Sequence, residues 1–102
     1  MKDQSERIIC AAIHYLDGNE YPHQPFNITS GYVLIGLRHC NVIITNKIIT
    51  GKPTRSNNIQ GFITSKNRFV DRVEAGQIAL ACGQIEKLSY FGSKELDSSD
   101  LY

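Results

Sequence analysis

A chain of 102 residues, 41% hydrophobic and 21% charged with no tryptophan, has the make-up of one ordinary globular domain and leaves no room for a second catalytic unit. A net charge of +1 argues against a protein that tracks extended nucleic acid, because such proteins carry a clear overall excess of Lys and Arg. The longest apolar stretches, YVLIGL and NVIITNKII, fall far short of the roughly twenty residues that cross a bilayer, and the mixed-charge start MKDQSERIICAAI makes a poor signal peptide, so the expected location is the cytoplasm with no membrane partner.

In chain order, RIICAAIHY (7–15) is rich in β-branched and aromatic residues and ends at Asp17, Gly18 and Asn19, which predicts a first strand closed by a turn. NEYPHQPFNIT carries two prolines and little periodicity and is expected to be an irregular excursion. SGYVLIG (30–36) reads as a second, antiparallel strand. HCNVIITNKIIT is ambiguous: its β-branching favours a strand, while its length of a dozen residues and the placing of Val42, Ile43, Ile44, Ile48 and Ile49 favour a helix, the expectation adopted here. Gly51 and Pro53 end it, and GKPTRSNN follows as a polar loop.

Gln60 to Ser65 gives a third strand, Lys66 to Arg68 a turn, and Phe69 with Val70 a short return. Asp71 and Glu74 have the spacing of an N-cap and its N3 partner, opening a helix over RVEAGQIALAC that Gly83 terminates in the left-handed conformation. The expected fold is α+β, a small antiparallel sheet with two helices packed on one face. Residues 1–90 are expected to form a single α+β domain, the ligand-binding one if a ligand is bound, and 91–102 an acidic, mobile tail.

Three cysteines at spacings of 30 and 42, with no C-x-x-C and no H-x-x-x-H, predict reduced thiols and no structural metal, with Cys10 and Cys82 as small core residues. No P-loop, dinucleotide fingerprint, nucleophile with an oriented base, or carboxylate pair stands out, so neither cofactor nor catalysis is expected. The charge is unevenly placed. Residues 38–72 hold seven bases (Arg38, Lys47, Lys52, Arg55, Lys66, Arg68, Arg72) against one acid, Asp71, and both flanks are net negative. Such a block is either a solvated basic face or a local field for an anionic partner.

Within it, Arg38 and His39 follow a strand, and QGFITSKNRFVDR joins Gly61, two phenylalanines and Arg72. Guanidinium groups suit phosphate because their planar fork donates two parallel bonds, an exposed Phe suits a nucleobase by stacking, and glycine admits close approach of backbone amides. The residues alone leave two readings open. Phe62 is either the lip of a ligand site or, with Phe69, an alternating core residue of a hairpin.

The order IICAAIHY, GLRHC, QGFITSKNRFVDRVEAGQIALACGQI and the acidic SSDLY end resembles the Thoeris anti-defence family of phage nucleotide sponges, from Arg7 onward and most densely between Gln60 and Ile85. The resemblance implies a homo-oligomer, acting in the infected bacterial host, that sequesters a cyclic ADP-ribose isomer or cyclic oligonucleotide at subunit interfaces without cleaving it. It implies a phosphate-contacting Arg38 with His39 beside it, a base-stacking Phe62 after Gln60 and Gly61, and Asp71 next to Arg72. Lys66 and Arg68 supply further charge, and Phe69 faces the core. Two features depart from that pattern: the excursion between the first two strands, and Asp71 where some members of the family are expected to have Asn. The other classes the residues allow are an inhibitor acting by direct protein contact, such as an anti-CRISPR, and a signal-degrading enzyme.

Overall fold

The computed structural model describes residues 6–51, 57–88 and 95–101. Four strands, β1 (Ile8–Tyr15), β2 (Tyr32–Gly36), β3 (Asn58–Thr64) and β4 (Phe69–Asp71), form one antiparallel sheet in the order β2-β1-β3-β4, with helices α1 (His39–Thr50) and α2 (Arg72–Ala81) between and after them. The α+β architecture is the one the sequence predicts. The loop expected at 51–58 and the tail boundary at residue 90 fall largely or wholly outside the described residues.

Register decides which side chains meet. Ala11 lies opposite Phe62 and Gly36, and Ile13 opposite Gln60 and Leu34, so with Tyr15 these residues share one face of the pleat. Both helices cover that face. Beneath α2, Ile8, Ala11, Phe62, Val70, Ala75 and Ala79 form one apolar cluster, and beneath α1, Ile13, Tyr15 and Val42 form another.

Each helix is set by local chemistry. Asp71 accepts a bond from the Glu74 backbone N–H at 2.8 Å, satisfying one orphan donor of the first turn of α2. At α1 the Asn41 side chain accepts from the Arg38 backbone N–H at 3.0 Å, and Gly51 closes the other end at φ 72°, donating to the Lys47 carbonyl. These two caps decide the segment whose β-branched content left it ambiguous.

The tail expectation needs correction. Leu96 is fully buried in the cluster under α2, and its N–H donates to the Arg72 carbonyl at 2.9 Å, so 95–101 returns to the core and ends in a 3-10 turn, Ser98–Asp100. A leucine at that position offsets the polarity around it, because burying one such side chain stabilises by about 1.5–3 kcal/mol.

The excursion between β1 and β2 lies across the second face of the sheet. The His14 imidazole Nε2 donates to the Ser30 carbonyl at 2.8 Å, and its ring meets Phe69 edge to face at 5.6 Å. Gln24 Oε1 accepts from the Val33 N–H of edge strand β2 at 2.8 Å. The Asn27 amide accepts from the Phe69 N–H at 2.8 Å and donates to the Phe69 carbonyl at 2.7 Å, on edge strand β4. Gly31 permits the return into β2: at φ 76°, a side chain there would meet the Tyr15 carbonyl oxygen at 2.3 Å.

Candidate functional site

The residues picked out by the sequence divide into three groups. Phe62 and Gly61 belong to the scaffold. Phe62 is 0% exposed, and the His39 ring packs on it edge to face at 5.0 Å. Its expected place on a ligand lip is therefore overturned, because strand alternation sends it with Ala11 toward α2 and leaves no face for a base. Phe69, expected in the core, is buried on the opposite side of the sheet under the excursion. Gly61 serves close packing within the sheet. It allows β4 to come close, since a Cβ there would sit 2.0 Å from the Val70 carbonyl oxygen and 2.9 Å from the Phe69 ring.

Arg68, with Glu6 and Glu74, forms the second group. Its guanidinium binds the Glu6 carboxylate through Nε and Nη2, both at 2.8 Å, and reaches Glu74 at 3.0 Å. Thr64 adds a hydroxyl to the same Glu6 oxygen. Arg68 thereby holds the Glu6 carboxyl down at about 2, against burial that pushes the other way. A guanidinium engaged on both sides by carboxylates is a strut between the chain start, the β3–β4 turn and α2, so the expectation that Arg68 serves a phosphate is not supported by its bonding. Lys66 is exposed in that turn and joins no such network in the bonds described.

The third group comes together. Gln60, Asp71 and Arg72, with Ile59, Val73 and Glu95, line an open depression of about 360 Å³ at the start of α2. Arg72 Nη2 donates to Gln60 Oε1 at 2.7 Å and Nη1 to the Leu96 carbonyl at 2.9 Å. The lining carries one base against two acids, so its carboxylates suit hydroxyl-bearing ligands and Arg72 is the one group in it that attracts an anion. His39 stands behind it, its Nε2 donating to the Gly61 carbonyl at 2.7 Å. Burial lowers the His39 pKa, the Gly61 carbonyl works against that, and the nearby Arg72 charge adds to it, so the ring is held neutral. Arg38 does not line the depression; it occupies the N-cap position of α1.

A second recess escaped the sequence reading. Asp17, Tyr21, Tyr32, Leu34, Ile49 and Thr50 line a mainly apolar hollow of about 390 Å³ beside the end of α1. Tyr21 meets Tyr32 edge to face at 5.4 Å and 81°, and Tyr32 stacks on Tyr15 at 5.2 Å and 21°. The Tyr21 hydroxyl donates to Asp17 and, with the Asn19 backbone N–H, holds that carboxyl below its ordinary range. Tyr15 Oη is buried with no hydrogen-bond partner among the described residues. The recess gathers residues from the segment between β1 and β2, from β2 and from α1, and no local spacing marks them.

Among the described residues no group of His, Cys, Asp and Glu could hold a metal ion, and no helix is long and apolar enough to cross a membrane. Residues 7–102 match the family model described as phage T4 y16D protein, and the chain belongs to that family. No curated protein and no solved structure matches it.

Proposed function

From membership of a phage family, we propose that this chain is an anti-defence protein that binds and sequesters a cyclic nucleotide signal of the infected host, without cleaving it. The observation that carries this reading is the meeting of Gln60, Asp71 and Arg72 around one open depression. A guanidinium there pairs with a phosphate oxygen, and the Asp71 and Glu95 carboxylates accept from ribose hydroxyls, the two polar features of a cyclic ADP-ribose isomer. At about 360 Å³ the hollow is near the lower bound of ligand pockets, roughly 300–1,000 Å³, and being open it needs a second wall. A second copy of the chain supplies that wall, in line with the subunit-interface site that the resemblance to nucleotide sponges implies. The role once expected of Phe62 passes to no aromatic side chain in this hollow, so affinity rests on polar contacts and on the aliphatic sides of Ile59 and Val73.

The test is calorimetric titration with cyclic ADP-ribose isomers, followed by heating and analysis of the released ligand. Intact ligand supports sequestration, a hydrolysed product indicates an enzyme, and absence of binding overturns the reading. Val73→Glu adds a third carboxylate on the rim at a half-exposed helix position and is expected to abolish binding while leaving the melting temperature nearly unchanged.

One observation favours inhibition by direct protein contact as a second reading. Ile44 and Ile48 are 57% and 77% exposed on α1, whose only charged residue is Lys47, and Leu37 just ahead of the helix is 63% exposed. Co-purification with a host effector in the absence of nucleotide, lost in Ile44→Asn with Ile48→Asn, tests it.

A further inference from the structure

The tyrosine recess has an electrostatic character set by where its hydroxyl protons go. Three hydroxyls stand around it, and each spends its single hydrogen on a protein acceptor: Tyr21 on the Asp17 carboxylate, Tyr32 on Asn46 Oδ1 at 2.7 Å, and Thr50 on the Asn46 carbonyl at 2.9 Å. The lining includes no lysine, arginine or histidine and no amide side chain. What the hollow presents to a ligand is therefore acceptor lone pairs, two tyrosine faces at 81°, one carboxylate and the aliphatic Leu34 and Ile49. An anion finds nothing to donate to it there. A neutral donor gains only the lone pairs. A cation gains the carboxylate, the lone pairs and the π-electrons of the tyrosine rings that line the hollow.

The geometry points to a cation-binding recess in which an ammonium or guanidinium group sits in the corner of Tyr21 and Tyr32, facing Asp17, with its aliphatic stem along Leu34 and Ile49. This goes beyond the nucleotide reading, which concerns the other hollow and ligands of opposite charge. Asp17 is pre-set for the role: its carboxylate is fixed by the Asn19 backbone N–H at 2.9 Å as well as by Tyr21, so little rotamer freedom is left to lose on binding. Tyr32 is fixed in turn by the bond to Asn46 and by stacking on Tyr15.

The experiment is a nitrogen–proton correlation titration of the full chain with N-acetylarginine methylamide, N-acetyllysine methylamide, choline and, as the opposite-charge control, inorganic phosphate. Saturable shifts confined to the amides of Gly18, Tyr21, Tyr32, Leu34 and Thr50 with the cations, and none there with phosphate, are expected. Asp17→Asn and Tyr21→Leu should each weaken binding by roughly two- to fivefold, the scale of one exposed charge or cation–π contact, with the remainder of each spectrum unchanged as proof of fold. Tyr21→Phe keeps the ring and should lose less. Preference for the amino-acid amides over choline identifies a protein side chain as the source of the cation, and the reverse preference identifies a free quaternary amine. Shifts caused by phosphate at these amides, or equal cation binding in Asp17→Asn, would overturn the assignment.

Discussion

The halves of the sheet under α2 and under α1 share strands and cover the same face, yet they use polar groups in contrary ways. Under α2, charge and amide are consumed internally: Arg68 binds Glu6 and Glu74, Arg72 binds Gln60 and the Leu96 carbonyl, and His39 binds the Gly61 carbonyl. Under α1, the interior is an aromatic stack in which the Tyr15 hydroxyl has no hydrogen-bond partner among the described residues, and the outer side of the helix carries isoleucines. The lesson is that two bases of the basic block, Arg68 and Arg72, are braced by bonds within the fold, whereas the exposed isoleucines of α1 carry no charge and no such bracing.

The contrast breaks most visibly at Phe62. Truncating this fully buried ring to Ala removes the platform shared by Ala11, Val70, Ala79 and His39, and should cost about 3–5 kcal/mol, a large part of a small domain's margin. Denaturant unfolding checks it. A melting temperature left in place would mean that the ring is not core, and would restore it as a ligand contact.

Arg68→Ala probes the strut. With the Glu6 side chain only 14% exposed and gripped bidentately, a loss of about 1 kcal/mol at neutral pH is expected. The pH dependence gives the finer signature. Because the folded Glu6 carboxyl titrates at about 2 and its ordinary value is 4.5, the stabilisation is complete above 4.5 and is lost as pH falls through about 2. Wild type and Arg68→Ala should therefore converge in stability across that window. Parallel curves would show that Glu6 gains nothing from the guanidinium.

The smallest effect belongs to α1. Ile48→Asn replaces a 77% exposed side chain and should change the stability of the isolated protein by no more than about 0.5 kcal/mol. If the loss is larger, and the melting temperature of the wild type rises with protein concentration, the outer side of α1 is already covered by another copy.

Local signals carried most of the fold. Gly51, Gly83 and the Asp71 to Glu74 spacing sit within a few residues of what they control, and the length of HCNVIITNKIIT outweighed its β-branching once capped. The sites were less legible because their partners are remote in the chain: Glu6 and Arg68 are 62 residues apart, and Asn27 and Phe69 are 42 apart. Period-two alternation did offer Phe62 and Phe69 as core residues of a hairpin, but it cannot say that the strand also crosses beneath a helix, and resemblance pulled Phe62 toward a ligand. Tyr15, Tyr21 and Tyr32 show no spacing that announces a recess, because an irregular segment rich in proline places the middle one.

That irregular segment has a consequence for how the protein behaves in a crowd. A four-stranded open sheet has two reactive ends, since each edge strand displays backbone groups that can template a neighbour's strand. Gln24 engages Val33 on one end and Asn27 engages Phe69 on the other, three residues apart in one stretch of chain. The edges are separated by three strand spacings, about 14 Å, and three residues reach about 10 Å, so the two amide side chains supply the rest of the span. One short strap thus acts as a chain terminator at both ends of the sheet. A single cut between Gln24 and Asn27 would leave each cap tethered from one side only, and is expected to loosen the cover on both edges at once.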